Sequence, residues 1–145
     1  MALLNTMVSK AGGACAGLAL LLVALVACSG QSTDPRCLAK RALGDAIRAV
    51  DLAEDAERSG DTAAVSSRMN DVARLVRSAR TSLGSAGASS GSDGSARRLL
   101  EAANYLEFIV RDFGSSGSVD GTLAQFASRE LNAAGSTAAG APLYC

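Results

Sequence analysis

The sequence predicts an all-α fold: a small up-down bundle of four helices, built as two antiparallel hairpins joined by a glycine-serine loop and preceded by an apolar N-terminal stretch. Two observations carry this fold class. Between residues 35 and 135, apolar side chains recur at steps of three and four in four separate segments, the spacing that gathers them on one face of a helix. The same region holds no alternation of apolar, β-branched and polar residues, the spacing that a half-buried strand requires. A helix with one apolar stripe must bury it against a neighbour, and short connections make sequential neighbours antiparallel.

The first helix is expected over about residues 35–59. Asp34 is placed to accept from the amides that open it, and Pro35 suits the first helical position, where a missing N–H costs nothing. Its stripe is Ala39, Leu43, Ala46, Ile47, Val50 and Ala53. Ser59-Gly60 stops it, since glycine readily takes the left-handed conformation of a helix end. Asp61 then caps a second helix over about 62–83, in which Val65, Met69, Val72, Val76, Ala79 and Leu83 form the most regular stripe of the chain. The connection between the two leaves room only for a hairpin. Gly84 to Ser95 is rich in glycine and serine and reads as a flexible loop.

A third helix is expected over about 95–113, with Leu99, Ala102, Ala103, Leu106, Ile109, Val110 and Phe113 on one face and Gly114 as its end. A fourth, shorter helix over about 120–134 turns Leu123, Phe126, Ala127, Leu131 and Ala134 inward, and residues 136–145 form an irregular tail after Gly135. Alanine-rich faces let helices approach closely but bury less apolar area than leucine. The core is therefore expected to be of modest stability.

Composition narrows the function classes. Formal charge over the 145 residues is zero, which gives no electrostatic case for nucleic acid as the main partner. Histidine is absent, which removes Ser-His and Cys-His nucleophile pairs, histidine zinc sites and the Glu-x-x-His di-iron motif of helical bundles. Asp51, Glu54 and Asp55 share a helical face, but Arg48 and Arg58 lie within a turn of them, so a solvated ion-pair face is favoured over a metal site. Gly94 and Gly121 are followed six residues on by Leu100 and Ala127, where a calcium loop needs a bidentate glutamate. The glycine-rich stretches lack the strand-loop-helix context and the lysine of a phosphate-binding loop. No catalytic residue, metal or cofactor is assigned from the sequence.

The N-terminal stretch is more specific. One positive charge, Lys10, precedes eighteen uncharged residues from Ala11 to Cys28, the layout of a secretory signal. Its last four residues, Leu25-Val26-Ala27-Cys28, resemble the lipobox of bacterial lipoprotein signal peptides, in which an aliphatic residue, a tolerant position and a small residue precede a cysteine that is acylated and becomes the new N-terminus. The resemblance covers this leader and implies cleavage after Ala27, removal of residues 1–27, and a covalent diacylglycerol or palmitate on Cys28. It also implies a place on the extracytoplasmic side of the bacterial cell membrane or outer membrane, with the membrane itself as partner through the lipid. An uncleaved transmembrane helix, of borderline length, and ordinary signal-peptide cleavage are the competing readings. Cys15 follows Gly12, Gly13 and Ala14, without the aliphatic residue a lipobox has. Residues 28–34 are then the lipidated cysteine and a six-residue polar tether, SGQSTD, reaching about 20 Å at most.

With Cys15 removed and Cys28 acylated, Cys37 and Cys145 remain as an even pair in a compartment that permits oxidation. An up-down bundle brings the start of the first helix and the end of the fourth to one end, so a disulfide is expected over two free or intermolecular thiols. Arg74, Arg77 and Arg80 recur every third residue. They suit either anionic headgroups and wall polymers or, the favoured reading, the acids of the first helix across the hairpin. Tyr105 and Phe108 lie partly off their stripe and are the first candidates for an exposed contact with an envelope protein. The function expected is that of a non-enzymatic interaction or structural module of the cell envelope, with a carrier of lipid or another apolar ligand as the alternative.

Overall fold

Three aspartates open three of the helices. Asp34 accepts from the amide of Arg36 at 2.8 Å, Asp61 from that of Ala64 at 2.9 Å and Asp120 from that of Thr122 at 2.9 Å. Each takes up one of the donors that the first turn leaves without a partner. In the computed structural model, which describes residues 34–87, 94–136 and 145, the elements are α1 Pro35–Ser59, α2 Thr62–Ser85, α3 Gly94–Ser116 and α4 Gly121–Ala134. No strand occurs among the described residues. The fold is the expected all-α four-helix bundle.

The turn between α1 and α2 is closed by backbone chemistry. Gly60 adopts φ 76°, its N–H donates to the Glu57 carbonyl at 3.0 Å, and the Asp61 N–H donates to that of Ala56 at 2.9 Å. This pair of bonds satisfies two end carbonyls of α1, while the side chain of the same Asp61 caps α2. Two helices thus meet across two residues.

α3 corrects the expectation at its end. It continues through Gly114 to Ser116, and the left-handed residue is Gly117, with φ 72°. The Gly117 N–H donates to the Phe113 carbonyl at 2.8 Å, and the hydroxyls of Ser115 and Ser116 donate to that of Asp112 at 2.9 Å. A glycine inside a helix costs about 1 kcal/mol, and these added bonds offset it. α2 likewise runs two residues past Leu83, and α4 begins one residue after Asp120, which serves as its cap.

Cross-helix contacts set the directions. A side chain at Gly135 would meet Lys40, one at Gly44 would meet Leu131, and one at Gly121 would meet Glu54, so α1 and α4 run antiparallel in constant register. Arg98 of α3 pairs with Glu130 of α4 at 2.7 Å, and Arg80 of α2 reaches Asn104 and Glu107 of α3. The chain therefore runs up, down, up and down. One end holds the starts of α1 and α3 with the ends of α2 and α4; Gly60 marks the other.

α1 packs against all three other helices, whereas α2 and α4 barely meet. Ala39, Ala46 and Ala53 of α1 are fully buried, and their seven-residue spacing makes one narrow stripe along which neighbours approach closely. Leu43, Val50, Leu83, Leu99, Leu106 and Ile109 supply the large side chains of the core.

The face of α4 is a second correction. Ala124, Ala127 and Ala134 are buried, while Phe126, expected inside, is 41% exposed. Phe126 instead lies against α3, stacked on Tyr105. Leu123 and Leu131 flank the alanines as half-buried contacts.

Leu43→Ala is expected to lower stability by about 3 kcal/mol, the cost of a cavity in a packed core. Leu38→Ala on the same helix, 45% exposed, should change it by less than about 0.5 kcal/mol. Urea denaturation of the disulfide-intact segment Ser29–Cys145 measures both, and equal effects would contradict the assignment of the α1 face.

Candidate functional site

Ala27 and Cys28, the expected cleavage and lipidation positions, lie outside the described residues, so the geometry begins at the inner end of the tether. There Asp34 accepts from the Arg36 side chain through Nε at 3.2 Å and a terminal nitrogen at 2.8 Å, in addition to its backbone cap. Asp34, the residue before α1, is thereby tied to the first turn of that helix.

One turn further on, Cys37 is bonded to Cys145, with the sulfurs 2.03 Å and the Cα atoms 5.5 Å apart. Cys37 is 2% exposed, so the bridge is set against the core on one side. The pairing expected from the cysteine count is present, and it closes a separation of 108 residues.

The three arginines of α2 depart from expectation. None reaches an acid of α1. Arg74 pairs with Asp71 of its own helix at 2.9 Å, Arg77 donates to the Ala73 carbonyl at 3.3 Å, and Arg80 turns to Asn104 and Glu107 of α3. The acids of α1 have other engagements: Asp55 with Arg58 at 2.6 Å, Asp45 with Arg48, and Glu57 accepting the Val119 N–H at 3.3 Å. Glu54 and Glu57 both lie at the start of α4, where a helix favours negative charge. Hairpin partners were the wrong place to look because the α2 stripe that faces α1 is apolar, which turns the arginines toward solvent and α3.

Of the two aromatics expected at an exposed patch, Phe108 is 47% exposed and carries the Arg111 guanidinium 5.1 Å from its ring centre. Tyr105 is half-buried, because Phe126 stacks on it with ring centres 5.7 Å apart. Phe126 in turn carries Arg129 at 5.3 Å. Such exposed cation-ring contacts contribute about 0.5–1 kcal/mol each. The outer surface of the α3–α4 hairpin thus bears two aromatic-arginine pairs. The sequence reading places Phe126 in the core and does not single out Arg111 or Arg129; the signal is the three-residue spacing of each ring to its arginine. Between these helices Glu130 raises the Arg98 pKa above the ordinary arginine value, first by accepting its hydrogen bond and then by its charge.

Three surface clefts accompany these features. One of about 190 Å³ between α2 and α3 is lined by Ala73, Val76 and Val110 with Arg77, Arg80 and Glu107 at its edge. One of about 320 Å³ lies at the Gly60 end, beside Phe113. One of about 370 Å³ lies beside the disulfide and is lined mainly by Lys40, Arg41, Asp45 and Arg48. Among the described residues no cluster of three or more potential ligands is placed to hold a metal ion, and no helix is long and apolar enough to cross a membrane.

Comparison of the chain with known protein families, with curated proteins and with solved structures finds no match.

Reducing the Cys37–Cys145 bond should destabilise the bundle by several kcal/mol, since cross-linking a loop of about 100 residues is worth about 4.7 kcal/mol in the chain-entropy treatment. Denaturation of Ser29–Cys145 with and without reductant reads this directly. Superimposable curves would show that the bridge adds nothing.

Proposed function

We propose that the chain is a bacterial lipoprotein whose mature part, from Cys28, is a membrane-tethered helical module acting through contacts in the cell envelope and not by catalysis. The observation that carries this reading is Leu25-Val26-Ala27-Cys28 at the end of an uncharged stretch. Two features of the bundle support it. The cap of α1, Asp34, lies six residues after Cys28, which suits a short leash. Cys37 and Cys145 are bonded to each other, which leaves Cys28 as the remaining thiol of the mature chain.

Cys28 then carries a diacylglycerol, with a further acyl chain in many bacteria. Two or more chains hold a protein stably where one gives only marginal binding, at about 0.8 kcal/mol for each buried methylene. The absence of histidine and the single mature lysine, Lys40, support a role without proton transfer or covalent catalysis. Phe108 with Arg111 and Phe126 with Arg129 are the exposed anchors for an envelope partner, since aromatic and arginine side chains concentrate the energy of protein contacts. A carrier role draws less support: the most apolar of the three clefts, between α2 and α3, measures about 190 Å³, below the roughly 300 Å³ at which small-molecule pockets begin, and the two larger ones carry Glu57, Thr62 and Ser66 or four charged side chains.

Replacing Cys28 with serine tests the reading in cells. The natural chain should fractionate with membranes and be processed in a globomycin-sensitive manner, and Cys28→Ser should accumulate as unprocessed precursor. Processing and membrane retention of the variant as before would refute it.

A further inference from the structure

We infer that the Asp34 end of the bundle is an electrostatic docking surface for anionic membrane headgroups, so that the tethered module stands on the bilayer end-on. This rests on the lipoprotein reading for the source of the membrane. The formal charge of the chain is zero, but the up-down path sorts charge along the bundle axis. Cutting each helix near its midpoint assigns 34–48, 74–87, 94–104 and 128–136 to the Asp34 end and 49–73 and 105–127 to the Gly60 end. The first set holds ten basic and four acidic side chains, the second three basic and nine acidic. With Asp93, outside the described residues, counted in the first set, the ends carry +5 and −6.

Local pairing does not erase this polarity. Arg36, Arg48 and Arg98 are each engaged with a carboxylate of the same end, while Arg74 and Arg80 pair with Asp71 and Glu107 just across the cut; counting those two carboxylates with their arginines leaves +3 and −4. Lys40, Arg41, Arg77, Arg97 and Arg129 have no carboxylate partner among the described residues; four are exposed and Lys40 is half-buried. All five belong to the Asp34 end, against Arg111 alone at the other. Helix dipoles do not account for the polarity, because two helices begin and two finish at each end and their fields oppose. It is carried by side chains.

The tether decides which surface this end meets. Cys28 lies six residues before Asp34, so an acyl anchor there holds the Asp34 end within about 20 Å of the headgroups. Lys40 and Arg41 sit about 9–11 Å along the axis from Asp34. The bundle can settle until these cations come within the roughly 8 Å over which charge acts at physiological salt. The opposite end, rich in carboxylates, is repelled by the same surface, so the two ends act together to orient the bundle with its Gly60 end outward.

The segment Ser29–Cys145 contains every capped helix, the core and the disulfide, and lacks Cys28, so it isolates docking from acylation. Co-sedimentation with phosphatidylcholine vesicles containing about one third phosphatidylglycerol should show binding at low salt that high salt reverses, with none to pure phosphatidylcholine. Lys40→Gln, Arg41→Gln and Arg97→Gln together should weaken it about a hundredfold, at roughly fivefold per cation, with unchanged helical circular dichroism. Arg58→Gln, Arg68→Gln and Arg111→Gln at the other end should change it no more than about twofold. No binding to anionic vesicles, equal binding to neutral ones, or equal loss in both triple variants would overturn the proposal. So would retention on soluble heparin without vesicle binding, which points to a wall polymer. Vesicle binding together with normal processing of Cys28→Ser in cells would overturn the lipoprotein reading and leave the docking surface standing.

Discussion

The close approach of α1 to its neighbours is the constraint on which the rest of this bundle depends. It is possible because Ala39, Ala46 and Ala53 present almost no side chain along one line of α1, so three helices pack around it. The buried α4 face is built of Ala124, Ala127 and Ala134 with Leu123 and Leu131 beside them, and the one large ring of that helix lies on Tyr105. A core made this way buries little area per residue, and the Cys37–Cys145 bond offsets that by restricting the unfolded chain rather than by adding contacts.

The parts of the fold legible in the sequence were those governed by local chemistry. Asp34-Pro35 and Ser59-Gly60 bound α1 at both ends because capping and left-handed glycine act within a few residues. The pairing of Cys37 with Cys145 followed from a count and a topology, without any distance. The misread features involve competition between sites. Gly114 and Gly117 both offer an end to α3, and the left-handed conformation falls at the second. On α4, Phe126 and Ala124 offer alternative stripes of similar spacing, and the ring goes to Tyr105 of α3 while alanine takes the core.

The arginines of α2 show the same limit in electrostatic form. Charge spacing along Arg74, Arg77 and Arg80 gave a helical edge, and the hairpin partner α1 was the obvious source of acids. The fold instead presents Arg80 to α3, because the α2 stripe of Val65, Met69, Val72 and Val76 takes the buried side of the helix. Charged residues go where apolar packing leaves them, so the partner of a surface cation is set by the neighbour beyond the hairpin as much as by the one within it.

Net charge was the least informative number in the sequence, and topology explains why. Basic side chains cluster in 36–48 and again in 74–98, and acidic ones in 51–61 and in 107–120. These blocks alternate with about the same period as the helices reverse direction. A chain that folded back at other points would mix them into a neutral surface. Reversing at Gly60, and again between Ser85 and Gly94 and between Ser116 and Gly121, superposes like on like, and a neutral sequence becomes a polarised body. Gathering like charges opposes folding through their mutual repulsion, most strongly at low ionic strength. Such an arrangement is relieved when an anionic surface lies against the basic end, the end at which α1 starts.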